Sequence, residues 1–357
     1  MRTFVIAEAG VNHNGSLEIA KQLVDVAAQA GADAVKFQTF KADLLVTRGA
    51  AKADYQARTT DGNESQYDMI RKLELSDEAH DVLIAHARER KVEFFSTPFD
   101  QQSLILLTKR LGLGLIKIPS GEITNAPYLL AVSRAAKKII LSTGASSLGE
   151  VEAALGVLAF GMTQDFMSPP TGDAFRQAFA SRAGQAVLKD RVTLLHCTTE
   201  YPAPFEDVNL NAMAMMKKAF GLNVGYSDHT LGTHVSIAAT ALGATVIEKH
   251  FTLNRNMPGP DHKASLEPAE LHNMISAIRD IELAMGDGVK RPAASEWKNR
   301  TVARRSLVAL SSISEGEVFN PENVGCKRPG TGISPMDYWH LLGTRSARSY
   351  APDEVII

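Results

Sequence analysis

The chain has 357 residues and 45% of them are hydrophobic, which is enough for a large domain and a small one. Its 38 basic and 40 acidic residues give a net charge of -2, so no basic surface for a nucleic acid or an anionic membrane is indicated. Cys197 and Cys326 form no CxxC pattern, which excludes a disulfide framework or a structural zinc site. The chain enters a strand directly and has no apolar run of about 18 residues, so we expect a soluble, cytoplasmic protein.

Eight strand-like runs alternate with amphipathic or alanine-rich helical stretches. In chain order the runs are TFVIAEA, DAVKFQT, VEFFSTP, GLIKIPS, KKIILST, RVTLLHCTT, NVGYSD and TVIEKHF. Eight strand–helix units within about 250 residues predict an α/β fold of the (β/α)8 TIM-barrel type. An open doubly wound sheet is the alternative, but the turn after the first strand, GVNHNGS, is not the GxGxxG expected there.

Two connections are longer than a minimal barrel needs. Residues 164–190 contain SPPTGD, which predicts a surface excursion. Residues 50–75 carry a polar insertion that either lies over the mouth of the barrel as a lid or decorates the surface. Each alternative is compatible with its composition.

The pattern changes after Gly286. Residues 286–298 are polar and basic and read as a linker, which assigns residues 1–285 to the barrel. Residues 299–357 contain short, turn-rich segments with little helical period, so we predict a small β-rich domain. A core of about 60 residues is marginal alone and would gain from packing against a barrel.

Two histidines end successive predicted strands of one strand–helix–strand unit. His229 follows NVGYSD, and His250 lies near the end of TVIEKHF. If these strands are parallel neighbours, the imidazoles approach one another and form a candidate metal site. The alternative is that each histidine only bonds to nearby backbone.

Polar side chains collect at the ends of the other strands. Two lysines, Lys36 and Lys117, are accompanied by the hydroxyl residues Thr97, Ser120, Ser142, Thr198, Thr199, Tyr201 and Ser227. Ammonium and hydroxyl donors satisfy the oxygens of a phosphate, and the alternative is that serine and threonine simply end the strands. We favour a phosphate pocket beside the histidines, with Glu8 and Glu122 at its rim.

Such a site suits the reaction of a polarised carbonyl with a phosphorylated partner. A Schiff-base aldolase is the main mechanistic rival, because Lys117 and Lys249 both lie on strands. Lys249 has parity opposite to Glu248 and His250, so it points away if His250 faces the site. Lys117 remains possible.

Many segments of the chain resemble the bacterial sialic acid synthase family. They are IAEAGVNHNGS, VKFQTFKA, FSTPFD, KIPSGEITN, IILSTGA, LHCTTEYPAPFEDVNLNAM, GYSDHT, IEKHFT, GPDHKASLEP and KRPGTGISPM, and they cover essentially the whole chain. The resemblance implies that phosphoenolpyruvate condenses with an open-chain N-acyl hexosamine to give a nonulosonate. It also implies that the small domain is an antifreeze-like (SAF) domain, exchanged within a homodimer so that the partner's Arg328 reaches the sugar.

The family pattern also implies roles for individual residues. His229 and His250 would bind Mn²⁺ or Mg²⁺, and Glu122 would lie beside a metal-bound water. Catalytic roles fall to Glu122, Glu8 and Lys117, while the residues around phosphoenolpyruvate are Lys36, Thr97, Lys117, Ser120, Ser142 and Ser227. Glu8, Tyr201, Asp261 and the partner's Arg328 would face the sugar. Thr199 departs from the pattern, since better-known members often have asparagine there.

The motifs favour 2,4-diacetamido-2,4,6-trideoxymannose as the acceptor, with N,N'-diacetyllegionaminate as the product. N-acetylmannosamine, which gives N-acetylneuraminate, is the alternative. A 3-deoxy-sugar-phosphate synthase would need a second phosphate site, yet the sequence has one convincing lysine cluster. A non-catalytic carbohydrate-binding protein is disfavoured because the mouth of the barrel is fully populated with polar residues.

Overall fold

The structure, a computed structural model, describes residues 2–61 and 64–357, apart from the side chain of Arg58. The chain forms two compact units, Met1–Gly286 and Asp287–Ile357. The predicted linker, residues 286–298, falls almost entirely in the second unit. No helix in the described ranges is long and apolar enough to cross a membrane.

The first unit contains eight parallel strands. They are β1 (Phe4–Gly10), β2 (Ala34–Thr39), β3 (Glu93–Pro98), β4 (Leu115–Ile118), β5 (Lys138–Ser142), β6 (Val192–His196), β7 (Asn223–Asp228) and β8 (Val246–His250). Their order is β3-β2-β1-β8-β7-β6-β5-β4, and β3 contacts β4, which closes the sheet. The predicted TIM barrel is confirmed.

Helices surround the barrel. They are α1 (Leu17–Ala30), α2 (Ala42–Leu45), α3 (Asp54–Thr59), α4 (Gln66–Arg71), α5 (Asp77–Arg90), α6 (Gln101–Ile105), α7 (Ala126–Ala135), α8 (Leu148–Thr163), α9 (Gly172–Ala180), α10 (Arg182–Arg191), α11 (Asn211–Phe220), α12 (His234–Ala241) and α13 (Pro268–Ala284). Helix α1 shows how local sequence sets their ends. The Ser16 side chain accepts a hydrogen bond from the Ile19 amide, and Gly31 ends the helix at φ 84°.

Short helical turns complete the first unit. A π-helical turn spans Leu106–Arg110, and 3₁₀ turns span Ser120–Glu122, Phe205–Asp207 and His262–Ala264. The long connection at residues 164–190 is mostly helical, because it contains α9 and most of α10, and α9 packs on α8. Its SPPTGD segment is largely exposed, as predicted.

The barrel interior is filled in layers by residues two positions apart, because alternate strand residues point inward. The lower layer is apolar and includes Ile6, Ala34, Phe95, Ile140, Leu195 and Val246. Two residues later along the same strands come Glu8, Lys36, Thr97, Ser142, Cys197 and Glu248. This register sets a polar layer at the carboxyl ends of the strands, above an apolar plug.

The second unit is small and contains α14 (Trp297–Ala303), β9 (Ser306–Ala309), β10 (Val324–Lys327) and α15 (Tyr338–Leu341), with 3₁₀ turns at Ala294–Glu296 and Pro335–Asp337. β9 and β10 pair in an antiparallel arrangement. Isolated bridges join Val308 to Val355 and Ile313 to Tyr350. These elements enclose a core that includes Leu307, Phe319 and Ile356, so the predicted β-rich domain is confirmed.

Candidate active site

A cavity of about 340 Å³ opens at the carboxyl ends of the barrel strands. Among the predicted site residues, those that line it are Glu8, Lys36, Thr97, Lys117, Ser120, Ser142, Tyr201, Ser227, His229, His250 and Asp261. The structure therefore brings together predicted residues from all eight strand ends or from the loops that follow them. This end of a barrel is where loops and strand termini build active sites.

Two predicted site residues are placed elsewhere. Glu122 lies in the 3₁₀ turn after β4 and accepts a hydrogen bond of 2.6 Å from Asn125 Nδ2, while its neighbours Ser120 and Gly121 line the cavity. Arg328 is exposed in the second unit, next to the end of β10. The roles predicted for these two residues stay predictions.

Four buried charges, which we call the polar floor, cross the base of the cavity: Glu8, Lys36, Lys117 and Glu248. Lys36 Nζ lies 2.7 Å from Glu8 Oε2 and 3.6 Å from Glu248 Oε2. Lys117 Nζ donates to Glu248 Oε1 at 2.9 Å. The two ammonium groups and two carboxylates therefore balance one another in a site that water hardly reaches.

Hydroxyl groups add further hydrogen bonds to the polar floor. Ser227 Oγ donates to Glu248 Oε1 at 2.8 Å, and Lys36 Nζ donates to Thr97 Oγ1 at 3.0 Å. A tetrahedral anion at this place would meet both ammonium groups and these hydroxyls together, which is the arrangement that binds phosphate.

The two carboxylates of the polar floor differ in their proton affinity. Burial raises the pKa of Glu8 to about 7, against the opposing effect of Lys36. Burial acts the same way on Glu248, but the ammonium groups of Lys117 and Lys36 outweigh it and hold its pKa well below the usual range. The pKa of Lys36 is raised, because the carboxylates of Glu248 and Glu8 overcome its burial. Glu8 is thus the member suited to exchange a proton near neutral pH.

A backbone irregularity follows Glu8 at the end of β1. The register between β1 and β2 shifts between Glu8 and Gly10, and Gly10 has φ 53°. A Cβ atom at Gly10 would lie 3.3 Å from Glu8 Oε1 and 3.4 Å from the His250 ring. Glycine therefore suits this position both for its backbone angle and for the space it leaves.

The histidine pair is arranged as predicted. β7 and β8 are parallel neighbours, and the ring centroids of His229 and His250 are 5.8 Å apart. His229 Nδ1 donates to the Thr198 carbonyl at 2.6 Å, which leaves Nε2 with its lone pair. His250 Nδ1 is buried without a hydrogen-bond partner.

These rings fit a divalent cation. Burial lowers the pKa of His229 to about 4 and that of His250 well below its usual value, so both are neutral at pH 7, as a metal ligand must be. Within residues 2–61 and 64–357, no group of three or more His, Cys, Asp and Glu side chains is placed to hold a metal. Two imidazoles would leave most coordination positions to water and substrate, which is typical of a catalytic rather than a structural site.

Aromatic and acidic side chains surround the histidines. The Tyr201 ring lies 4.2 Å from that of His229 and 5.1 Å from that of Tyr55, centroid to centroid. Asp261 Oδ2 is 4.0 Å from His250 Nδ1, and burial raises the pKa of this carboxyl to about 6. These groups offer both stacking surface and hydrogen bonds to a sugar.

The NHNG turn after β1 holds the loop that carries Asp261. Asn12 Nδ2 donates to the Phe251 carbonyl at 2.8 Å and to Ser265 Oγ at 2.9 Å. Ser265 Oγ in turn donates to the Asp261 carbonyl at 2.7 Å, and Asn14 Nδ2 donates to the Pro258 carbonyl at 2.8 Å. The turn fixes the loop through hydrogen bonds rather than contributing charge to the cavity.

Lys249 faces away from the cavity, as its parity predicted. Its Nζ lies 3.0 Å from Asp228 Oδ2 and donates to the Thr230 carbonyl at 2.5 Å, on the far side of the sheet from the polar floor. A Schiff base at Lys249 is therefore excluded by geometry. Lys117 does reach the cavity, where its ammonium group is paired with Glu248.

The insertion at residues 50–75 contributes Tyr55, Gln56, Gln66, Met69, Ile70 and Leu73 to the cavity lining. Thr59 Oγ1 lies 3.3 Å from the Pro260 carbonyl and 2.9 Å from the Tyr55 carbonyl, so its one hydrogen is shared between the loop and its own helix. Of the two alternatives, the structure favours the lid. Residues 62 and 63 lie outside the described part of the chain.

Several lining residues were missed from the sequence. Glu248 and Cys197 sit at inward positions, two residues after the buried Val246 and Leu195. Strand parity alone would have identified both. Thr199, the departure from the family pattern, lines the cavity and lies 3.2 Å from Ser120, hydroxyl to hydroxyl. Nothing in the sequence marked the insertion's apolar side chains as lining residues.

Known proteins are similar to this chain over almost its full length. Residues 23–290 match the NeuB family and residues 304–356 match the SAF domain. An N,N'-diacetyllegionaminic acid synthase of Campylobacter jejuni is 53% identical over 355 residues, covering 99% of both chains. Its counterpart in Legionella pneumophila is 45% identical over 345 residues, covering 97% of this chain and 90% of that one.

A solved structure is also similar. The N-acetylneuraminic acid synthetase of Leptospira borgpetersenii, crystallised with citrate, superposes with a TM-score of 0.66 at 30% identity and covers 84% of this chain and 90% of that one. The match of both domains and the two full-length relatives identify this chain as a member of the NeuB family that carries a SAF domain.

Proposed function

We propose that this protein condenses phosphoenolpyruvate with 2,4-diacetamido-2,4,6-trideoxymannose to form N,N'-diacetyllegionaminate and phosphate. The observation that carries the proposal is full-length similarity to two synthases of that product, at 53% and 45% identity. The cavity supports it, because a lysine-lined anion site lies beside two neutral imidazoles.

The polar floor would bind phosphoenolpyruvate. Lys36 and Lys117 neutralise the phosphate and carboxylate, while Ser120, Ser142 and Thr97 donate or accept hydrogen bonds at the same strand ends. Fixing the enol in one orientation turns the encounter of its C3 with the sugar aldehyde into an effectively intramolecular step.

Proton transfer to the new alkoxide falls to Glu8. When C3 of phosphoenolpyruvate attacks the aldehyde carbon, the carbonyl oxygen gains negative charge and needs a proton. Because burial raises the pKa of Glu8 to about 7, a substantial fraction of Glu8 is protonated at neutral pH and can give up that proton.

Water then adds to C2, and the tetrahedral centre loses phosphate by cleavage of its C–O bond to leave the 2-keto acid. We assign the base that deprotonates this water to Glu122, whose neighbours Ser120 and Gly121 line the cavity. Glu248 lies within the cavity, but two lysines hold its pKa low, which makes it a weak base. Glu122→Gln should abolish turnover without loss of metal, and near-normal turnover would refute the assignment.

We further propose that His229 and His250 hold Mn²⁺ or Mg²⁺. When bound, such an ion polarises the aldehyde carbonyl of the sugar. The Thr198 carbonyl keeps the His229 ring in place by accepting from its Nδ1 at 2.6 Å, while the Tyr201 hydroxyl, 3.2 Å from Nε2, would give up that nitrogen to the ion. A chelator should inactivate the protein, and added Mn²⁺ should restore it.

A homodimer is part of the proposal. Arg328 would approach the sugar in the active site of the partner subunit, as the family resemblance implies. Sedimentation analysis together with Arg328→Ala tests this. A strictly monomeric and fully active protein would contradict the role given to Arg328.

One assay separates the candidate functions. Phosphate release is measured after mixing phosphoenolpyruvate and Mn²⁺ with either the trideoxy sugar or N-acetylmannosamine. Faster release with N-acetylmannosamine would favour N-acetylneuraminate synthesis instead. Inactivation by borohydride in the presence of substrate would indicate a Schiff-base aldolase at Lys117.

A further inference from the structure

One side of the cavity differs from the rest because it is apolar. Phe40, Leu45, Met69, Ile70, Leu73 and Phe99 line it, and we call these six residues the apolar wall. They belong to one hydrophobic cluster, which is separate from the clusters inside the barrel. Their source is the segment after β2, helix α4 with the residues that follow it, and the residue after β3.

The apolar wall lies away from the reacting groups. The histidines end β7 and β8, whereas the wall follows β2 and β3 on the other side of β1. If C1 of an open-chain sugar lies near the histidines, the carbon chain extends past Glu8 and brings its far end, C4 to C6, toward the wall. Gln56 and Gln66 line the same region and supply amide groups there.

The two candidate sugars differ at that far end. N-acetylmannosamine has hydroxyl groups at C4 and C6, whereas the trideoxy sugar has an acetamido group at C4 and a methyl group at C6. Hydroxyl groups facing apolar side chains lose water without gaining partners, while methyl groups lose nothing. A wall of this composition therefore discriminates between the two.

We propose that the apolar wall receives the C6 methyl group and the methyl of the 4-acetamido group, and so determines the preference for the trideoxy sugar. This inference rests on the proposed function. The two glutamines complement it, because their side-chain amides can bond to the acetamido oxygen and nitrogen.

A series of four sugars tests the proposal on the unaltered protein. They are N-acetylmannosamine, its 6-deoxy analogue, 2,4-diacetamido-2,4-dideoxymannose and the full trideoxy sugar. We expect kcat/KM to rise by about tenfold or more for each change, the range typical of one apolar group in a fitted pocket. Equal kcat/KM for all four sugars would overturn the inference.

Two variants assign the effect to the wall. Met69→Gln and Leu73→Asn keep side-chain size but add polar atoms, and each should lower the ratio of kcat/KM for the trideoxy sugar to that for N-acetylmannosamine by about tenfold. Met69→Leu should keep the ratio high. Tyr67→Phe is the matched control, because Tyr67 belongs to the same cluster and helix but does not line the cavity.

The ratio compares two sugars on the same protein sample. A loss of folded protein lowers both kcat/KM values equally and leaves the ratio unchanged, so a partly destabilised variant can still be interpreted. A variant that lowers kcat/KM equally for both sugars would show a merely structural role and contradict the proposal. If no sugar releases phosphate, the proposed function itself fails. Equilibrium binding of the four sugars, measured by calorimetry, then shows independently whether the wall selects apolar groups.

Discussion

The polar floor and the apolar wall face each other across one cavity, yet they are built differently. The floor consists of strand residues whose inward direction is set by the barrel register, and its members are joined by ion pairs. The wall comes largely from an insertion and the loops after β2 and β3, and it is held by packing among its own side chains. The strand-borne floor is therefore the rigid part of the site, suited to catalysis. The loop-borne wall can vary without changing the barrel, which suits it to determining substrate specificity.

Replacing one of the two histidines beside the polar floor should have the largest effect on activity. His229→Ala or His250→Ala should lower kcat/KM by at least about a thousandfold, because the carbonyl loses its electrophilic partner, worth several kcal/mol. Residual activity should no longer respond to Mn²⁺. Metal content by elemental analysis and metal-dependent turnover are the measurements. Retained metal-dependent activity would exclude the histidines as ligands.

Breaking an ion pair of the polar floor should have the second-largest effect, and it should appear in the free energy of unfolding. Glu248→Gln leaves Lys117 without its 2.9 Å partner, and loss of one member of a buried pair costs about 3 kcal/mol in the free energy of unfolding. Denaturant unfolding measures the loss, and inorganic phosphate should raise the melting temperature of the variant more than that of the parent.

Glu122→Gln is the matched control for stability. Glu122 is half-buried and bonded only to Asn125 among the contacts described, so its free energy of unfolding should change by less than about 1 kcal/mol. Equal losses in the two variants would show that the floor has no special electrostatic role.

The turn after β1, which contains the buried His13, should respond to pH. Burial lowers the pKa of His13 to about 3, so between about pH 6.5 and about pH 3 the unfolded chain binds more protons than the folded one. Stability is therefore lost as pH falls, by about 2 kcal/mol from this residue at about pH 5. Glu8 and Asp261 act in the opposite sense, because their pKa values are raised.

His13→Gln isolates the contribution of that one residue. The free energy of unfolding should fall about 2 kcal/mol less between about pH 6.5 and about pH 5 in the variant than in the parent. Denaturant unfolding at the two pH values is the measurement. Parallel pH dependence in both proteins would refute the assignment.

The smallest effect is expected where the insertion meets the loop of Asp261. Thr59→Val removes a hydroxyl that lies 3.3 Å from the Pro260 carbonyl and 2.9 Å from the Tyr55 carbonyl, and the loss should cost about 1 kcal/mol or less. We expect KM for the sugar to rise a few-fold, at about the same kcat, because the wall side is loosened and the floor is untouched. A large fall in kcat would contradict the assignment of chemistry to the polar floor and of sugar binding to the apolar wall.

The sequence predicted the floor better than the wall, for a physical reason. Strand residues obey a period of two, so a buried Ile6 and a polar Glu8 identify an inward face without knowledge of the fold. Met69 and Ile70 follow no comparable period that would mark them as cavity residues. Apolar residues on a short helix are found both over a protein core and over a ligand. The position of Met69 and Ile70 over the mouth depends on how the insertion folds back, which no local pattern encodes.

Glu248 shows a second limit. Its parity with His250 is visible in the sequence and predicts an inward direction, but parity does not show which groups the carboxylate contacts. Only the distances of 2.9 and 3.6 Å to Lys117 and Lys36 show that it is part of the polar floor. A residue that pairs with a charged binding group and lowers its affinity for a ligand is harder to infer from sequence than the binding group itself.

The internal charge balance of the floor has a consequence for turnover. Because Glu8 and Glu248 already engage the two lysines, an arriving anion must compete for them, and its affinity is held below what two free ammonium groups would give. Inorganic phosphate, with fewer contacts than the substrate that delivered it, then dissociates readily. We therefore expect the carboxylates of the polar floor to weaken inhibition by the phosphate that the reaction releases.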